Sequence, residues 1–235
     1  MKDFNTLWGI MTSRSSFLSK MAKQQIMKGK TPWGTKNLQS IQSIWKDEEL
    51  LKKFGEDPTD YASVTRTSEY LFEQVSALPH ISKQSLILEI GCNVGRNLNY
   101  LFKQGYHNIF GIEISQRAVK LMKEQYPEMS KYVTILHGSV EDEIVKLKDN
   151  QFDLTFSNAV LMHLHPSSNW IFKEMSRITS KYVRTMEVEN LYYYGVFPRD
   201  YQIIFEQFGW KMIKQEINNW KNEPEYLMRV FEKQN

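Results

Sequence analysis

Leu86-Ile87-Leu88-Glu89-Ile90-Gly91-Cys92-Asn93-Val94-Gly95-Arg96-Asn97 is the stretch on which the fold turns. Its first five residues read as a buried strand, because apolar residues run nearly unbroken where both faces of a strand are covered. A glycine turn follows, and Arg96 to Lys103 then reads as a helix. Gly91 lets the backbone turn sharply and approach a ligand closely. Gly95 lets the helix start pack against the sheet. Free N–H groups at such a helix start favour polar ligands. Glu113 lies 22 residues after Gly91, at the end of the next apolar run. A carboxylate there can accept hydrogen bonds from both hydroxyls of a ribose.

The glycine spacing separates two kinds of ligand. Dinucleotide folds use G-x-G-x-x-G, whose second glycine admits a pyrophosphate. Here that position is Asn93, whose side chain obstructs it, and the pattern is E-x-G-x-x-x-G. A ligand with a ribose and no phosphate fits better, and S-adenosylmethionine is such a ligand.

Outward from this stretch, short apolar runs alternate with helical ones. The strands are expected at Leu86–Ile90, Ile109–Ile114, Val133–Leu136, Phe152–Phe156 and Tyr182–Val188, with helices at Arg96–Lys103 and Gln116–Gln125. Such alternation means βαβ units on a parallel sheet. After a helix near Arg199–Phe208 come strands at Lys211–Ile217 and Tyr226–Phe231, joined by a polar turn too short for a helix. They should be antiparallel neighbours. The first 80 residues read as wholly helical. Phe4, Leu7, Met11, Leu18 and Met21 form a stripe at helical spacing, a second helix is expected over about Leu38–Phe54, and Gly55–Asp60 reads as a loop. Thr67 or Ser68 could cap a third helix running to Leu78. The expected organisation is an N-terminal helical cap over residues 1–80 and a ligand-binding domain over 81–235.

Four stations in order make the sequence resemble the class I S-adenosylmethionine-dependent methyltransferases, over about residues 66–235. Glu89-Ile90-Gly91-Cys92-Asn93-Val94-Gly95 matches the first motif, departing from the commoner G-x-G-x-G at Asn93. Phe110-Gly111-Ile112-Glu113-Ile114-Ser115 matches the ribose-binding acidic station. His137-Gly138-Ser139-Val140-Glu141 stands where the family contacts adenine. Phe152–Leu164, containing Asn158, matches the fourth-strand segment. The resemblance implies an α/β, Rossmann-like sheet of seven strands, mostly parallel with the last antiparallel. It also implies S-adenosylmethionine as cofactor, S-adenosylhomocysteine as product and no metal. Glu89, Gly91, Cys92, Asn93, Gly95, Glu113, Ile114, Gly138, Ser139, Val140 and Asn158 would hold the cofactor. Tyr61 and Arg66 stand where the family often closes over the methionine carboxylate. A narrower similarity, in Gly-Cys-Asn-Val-Gly and Val-Leu-Met-His-Leu-His-Pro, is to methyltransferases of surface-sugar biosynthesis, including the pseudaminic acid type.

Methyl transfer is an in-line displacement at a carbon already activated by sulfonium, so the protein chiefly aligns donor and acceptor and excludes water. A hydroxyl or ammonium acceptor also needs a base. The candidates follow the fourth and fifth strands, where open α/β sheets place ligands. His165 and Glu189 rank first as bases, and Glu187 and His163 behind them. Period two puts Glu187 and Glu189 on one side of their strand; solvent exposure or pairing with Arg199 is the alternative. Tyr192, Tyr193, Tyr194 and Arg199 could form the acceptor wall, with tyrosine faces toward the sulfonium. Cys92 reads as a small buried filler beside the cofactor. Asn158 is followed by Ala159-Val160 rather than Pro-Pro-aromatic, and no Pro-Cys dipeptide occurs, which disfavours adenine-N6 and cytosine-C5 acceptors.

Composition bounds the partners. In 235 residues, 41% hydrophobic and 24% charged, a packed core is expected. One cysteine excludes a disulfide scaffold and a Cys-cluster metal site. No long apolar run suggests a membrane span or secretory signal, so a cytoplasmic protein is expected. The net charge of +3 is uneven: residues 1–46 hold eight basic residues and one acid, leaving 22 basic and 26 acidic residues beyond. A basic arm can dock on the acidic body, on an anionic substrate or on nucleic acid, and a transit peptide has the same character. The leading expectation is a methyltransferase acting on an oxygen or nitrogen of a small polar molecule such as a sugar or related metabolite. An RNA methyltransferase using the arm and a non-catalytic, cofactor-binding partner subunit are the alternatives.

Overall fold

The structure is a computed structural model and describes residues 18–32, 34–54, 56–63, 66–192, 195–218 and 225–234. Seven strands form one sheet: β1 (Ile87–Ile90), β2 (Ile109–Glu113), β3 (Thr134–His137), β4 (Phe152–Asn158), β5 (Thr179–Glu187), β6 (Trp210–Asn218) and β7 (Tyr226–Lys233). Their order is β3-β2-β1-β4-β5-β7-β6. β1 to β5 pair in parallel, and β7 enters antiparallel between β5 and β6. The chain winds outward in one direction from β1 and returns through β4. The crevice beyond the C-terminal ends of β1 and β4 is therefore the switch point of the sheet.

Alternation along the strands feeds two layers of core. Ile87, Leu154 and Phe156 pack with Leu71 and Val75 of α4 (Arg66–Ser76) and Leu98 and Leu101 of α5 (Arg96–Lys103). Leu88, Ile90 and Val183 face the other way, and Phe152 joins them across the register shift between Phe152 and Leu154. They meet Ile171, Phe172, Met175 and Ile178 of α8 (Ile171–Ile178) and Tyr201, Ile204 and Phe205 of α9 (Tyr201–Glu206). Each such large side chain contributes roughly 1.5–3 kcal/mol on burial. Helix α6 (Gln116–Gln125) and the short α7 (Val140–Glu143) flank β2 and β3. Ser115 caps α6 by accepting from the Ala118 N–H.

Among the described residues, three helices precede α4. They are α1 over residues 18–27, α2 (Leu38–Lys46) and α3 (Glu48–Phe54). A single helix was expected over 38–54. Asp47 divides it: its Oδ1 accepts from the backbone N–H groups of Glu49 and Leu50 at 2.9 and 3.0 Å, capping α3. The expected loop at 55–60 holds a 3-10 turn, Pro58–Tyr61, capped by Asp57. The stripe read at the N-terminus also shifts. Phe4, Leu7 and Met11 lie outside the described residues, and Leu18 and Met21 are 61% and 44% exposed. Ala22 and Ile26 are the inward residues, packed with Ile41, Ile44 and Phe197. Leu71 and Val75 of α4 belong to the sheet's core, while α1 and α2 pack chiefly with one another and with Phe197.

Candidate functional site

A cavity of about 540 Å³ opens at the switch point. Its floor is the turn after β1, its walls are the ends of β2 and β4, and its roof is α2 through Leu38, Ile41, Gln42 and Trp45. Those four positions share one helical face at spacings of three and four. Arg117 on α6 pins the roof's approach by pairing with Glu48 at 2.9 Å and Asp57 at 3.1 Å.

Of the residues read as cofactor ligands, Glu89, Gly91, Cys92, Asn93, Glu113, Ile114, Gly138, Val140, Asn158, Tyr61 and Arg66 line this cavity. Gly95 and Ser139 do not. Gly95 has φ +72°, and a Cβ there would meet Met122 of α6 at 2.9 Å, so its smallness serves helix-to-helix packing. Ser139 is buried as the cap of α7, accepting from the Asp142 N–H at 3.2 Å and donating to the Asp142 carboxylate at 2.6 Å. Gly91, at φ +69°, gives up its side chain mainly to Val160, which a Cβ would meet at 2.5 Å. Cys92 is buried with Sγ against Gly111, and burial pushes its thiol up, as an inert filler requires.

Glu113 is held open to the cavity. One oxygen accepts from the Asn93 N–H at 2.8 Å and the other from the Ser115 N–H at 2.7 Å. Burial nevertheless raises its carboxyl above the ordinary range. Glu89 accepts from the Asn97 amide at 2.7 Å, and Asn97 in turn accepts from the Ser68 hydroxyl at 2.9 Å. Burial pushes Glu89 up to about 8. Asn158 accepts from the buried Arg184 guanidinium at 2.5 Å. Glu89 Oε2, Asn93 Oδ1 and Asn158 Nδ2 are buried without a hydrogen-bond partner. Unpaired buried polar atoms are costly. With Arg96 Nε and His165 Nε2, five such atoms belong to residues around one cavity and mark a surface shaped for a polar ligand.

The four candidate bases separate. Glu189 does not line the cavity: Arg229 of β7 grips it with Nε and Nη2 at 2.8 and 3.1 Å, and Lys23 of α1 lies at 3.9 Å. Glu187 also lies outside the lining. Ser157 donates to it, as do the N–H groups of Val160 at 3.3 Å and Met162 at 3.1 Å. Both carboxylates were expected to face the acceptor; instead they brace the loops around it. Neither pairs with Arg199, which is fully buried and donates to the carbonyls of Leu161, Phe197 and Leu164 and to Asn169. Arg199 is thus a clamp between two loops, which corrects its reading as a substrate contact. Tyr192 likewise stands off the cavity, meeting Thr35 at 3.0 Å and packing under the cap. Tyr193 and Tyr194 lie outside the described residues.

His163 and His165 both line the cavity. Their tautomers differ. His165 Nδ1 accepts from the Ser167 N–H at 3.1 Å, so its neutral ring carries hydrogen on Nε2 and offers a donor, not a base. Burial lowers its basicity, and the Lys36 main chain lies near enough to oppose this without hydrogen-bond geometry. His163 Nδ1–H donates to the Gly195 carbonyl at 2.7 Å, leaving the lone pair on Nε2. Its ring packs on Trp45 of the roof, centroids 4.7 Å apart, and burial pushes its pKa down to about 4.

Glu56 and Met186 line the cavity with no motif to announce them, and Arg96, Asn97 and Glu141 stand inside quoted motifs without an assigned role. Tyr61 donates to Glu56, and the Arg96 guanidinium stands 5.9 Å from the Tyr61 ring centroid. Only the α2 face, Leu38-Ile41-Gln42-Trp45, was legible as a pattern. Among the described residues no cluster of three or more His, Cys, Asp or Glu could hold a metal ion, and no helix is long and apolar enough to cross a membrane.

The family described as "Methyltransferase domain" matches residues 88–182. A curated relative, phosphoethanolamine N-methyltransferase 1 of Triticum aestivum, is 24% identical over 159 residues, covering 68% of this chain. The chain spans only 29% of that relative's length. Among solved structures, a magnesium protoporphyrin IX methyltransferase from Synechocystis PCC 6803 with bound S-adenosylhomocysteine superposes with TM-score 0.60. It is 12% identical, with 80% of this chain and 98% of that one covered. An S-adenosylmethionine-dependent methyltransferase from Mesorhizobium loti gives TM-score 0.59 at 12% identity, covering 73% of this chain and 100% of that one. At these identities the structures speak for the fold.

Proposed function

We propose, from the premise that the chain carries a class I S-adenosylmethionine-dependent methyltransferase domain, that it methylates an oxygen or nitrogen of a small polar molecule with S-adenosylmethionine as donor. One observation carries the reading. The carboxylate of Glu113 and the unpartnered polar atoms of Glu89, Asn93, Arg96, Asn158 and His165 surround a cavity roofed by Leu38, Ile41, Gln42 and Trp45. About 540 Å³ lies in the range of small-molecule sites.

The residues present suit the cofactor. Glu113 has a ready place for a ribose diol, and its two backbone donors fix its orientation. Ile114 and Val140 offer apolar contact for an adenine. Glu89, Asn158, Tyr61 and Arg66 are assigned to the methionine end. S-adenosylmethionine supplies a methyl group already activated by positive sulfur. The chain's own work is then alignment, exclusion of water by Leu38, Ile41 and Trp45, and removal of one acceptor proton. His163 Nε2, with its lone pair fixed by Gly195, is the group assigned to that proton. This replaces the first ranking of His165 and Glu189. The roof over the cavity favours a small acceptor over an RNA, and the furnished cavity favours an enzyme over a passive partner subunit.

Titration calorimetry with S-adenosylmethionine, S-adenosylhomocysteine and NAD tests the cofactor, and only the first two should bind. Tight NAD binding without the others would overturn the reading. Incubation with isotopically labelled S-adenosylmethionine and cell extract tests the acceptor. Label is expected in the small-molecule fraction; label confined to RNA would refute that half.

A further inference from the structure

Glu89 is a carboxyl buried beside the cavity. It is 2% exposed, within β1, flanked by β2 and β4, where period two aims it at α5. Only one of its oxygens has a donor. The Asn97 amide donates to Oε1 at 2.7 Å and accepts from the Ser68 hydroxyl of α4 at 2.9 Å, so it presents NH₂ to Glu89. Oε2 is buried, faces the cavity residues and has no partner.

The charged groups around it do not neutralise it. Arg184 of β5 is directed elsewhere, donating to Gln74 at 2.6 Å and Asn158 at 2.5 Å. Arg96 of α5 acts only through space, with its own Nε unpartnered. Glu113 at the end of β2 and the Cys92 thiol are the other titratable groups facing it, and the Glu113 charge works against a second negative charge nearby. A carboxylate with one neutral donor and no contacting cation is strongly disfavoured in such a place; the proton stays on.

We propose that Glu89 is a neutral acid in the ligand-free protein and releases its proton to solvent as Oε2 receives the ammonium group of the cofactor's methionine end. The inference rests on the cofactor reading above. The balance is simple. One proton leaves Glu89 for water, no covalent bond to carbon changes, and the cation of the ligand takes the proton's place beside Oε2. The direction agrees with burial raising this carboxyl to about 8. Ser68 and Asn97 are positioning residues in this scheme, since they fix which oxygen is free.

The experiment is calorimetric binding of S-adenosylhomocysteine near neutral and mildly acid pH, in buffers of different ionisation enthalpy. The wild-type protein should release about one proton per ligand bound, and its Kd should weaken by about tenfold for each unit that pH falls below the carboxyl's pKa. Glu89→Gln should bind more weakly, release close to none and lose that pH slope, which subtracts protons from the ligand amine and other groups. Should that variant not fold, infrared difference spectra of the wild-type protein give the second readout. A buried protonated-carboxyl band should vanish on binding while carboxylate bands appear. Binding with no proton release and no infrared change would overturn the inference and leave the cofactor reading intact. No binding at any pH would overturn the cofactor reading itself, and this inference with it.

Discussion

Replacing Glu187 with Gln separates a structural carboxyl from a catalytic one and gives its sign with pH. Glu187 is completely buried at the end of β5, and its donors are Ser157 and the N–H groups of Val160 and Met162. Burial outweighs these and raises it from 4.5 to about 7. A carboxyl raised on folding stabilises the protein fully below its unfolded pKa, and that stability is lost as pH rises through the folded value. Each pH unit in that interval costs about 1.4 kcal/mol, so the whole interval is worth about 3 kcal/mol. Gln cannot titrate. It keeps one acceptor oxygen but turns an NH₂ toward the Met162 N–H, a mismatch costing about 1–3 kcal/mol at every pH. The wild-type advantage should therefore be largest near pH 5 and shrink toward pH 8, where the variant draws level or passes it. Denaturant unfolding followed by tryptophan fluorescence at a series of pH values measures this gap. A gap that widens with pH would mean the three donors hold Glu187 ionised, and the burial argument would be wrong.

Other outcomes follow from the same geometry. Glu113→Ala should weaken S-adenosylhomocysteine binding by about 1–3 kcal/mol in calorimetry, the scale of hydrogen bonds to a charged group; unchanged affinity would remove Glu113 from the site. His163→Ala should lower turnover by about 10²–10⁴-fold with cofactor affinity retained, while His165→Gln stays within about threefold. Because the neutral His163 ring is required and it titrates at about 4, kcat should persist through mildly acid pH and fall only as pH drops through that value. An acid limb near an ordinary imidazole pKa would contradict this. Arg229→Met strands buried Glu189 and should cost about 3–5 kcal/mol in unfolding free energy. Adding Glu189→Gln should recover much of that, and a thermal melt of the two variants checks it. Trp45→Ala should reduce turnover while leaving cofactor affinity within about threefold, and a matching loss of affinity would place the roof on the cofactor rather than the acceptor.

What the sequence made legible was local. The strand, glycine turn and helix around Gly91 follow from a dozen neighbouring residues, and Glu113 takes its place because β2 pairs in register with β1, Glu89 opposite Gly111. Even there the reasons differ in part: Gly91 and Gly95 make room for Val160 and Met122, side chains whose approach no glycine pattern reveals. Period two did put Glu187 and Glu189 on one side of their chain, and both point inward. What it could not show was the competition for them. Arg229 reaches Glu189 from β7, 40 residues later, and the N–H groups that hold Glu187 come from a loop whose path is set by Arg199. Asp47 carried a readable cap signal, yet the apolar spacing across it matched one long helix.

The distribution of acids in the molecule bears on how the reaction is served. Glu187 ends the fifth strand and Glu189 follows it, where a base was expected, and both are committed to structural contacts. The groups left at the cavity's acceptor side are an imidazole of low basicity, a second imidazole presenting N–H, and apolar rings from α2. A weak base of this kind is poorly matched to abstracting a proton before attack. It is sufficient when the proton leaves as the carbon–acceptor bond forms, because the sulfonium already lowers the barrier and the acceptor becomes acidic in the transition state. Geometry then counts for more than basicity, since alignment alone can be worth about 7–11 kcal/mol. The contact between Trp45 and His163 joins the two requirements: the residue that closes the roof also packs on the imidazole that takes the proton. A cap seated against His163 therefore sets the acceptor's position and the base's position together, which is why both should fail together when Trp45 is removed.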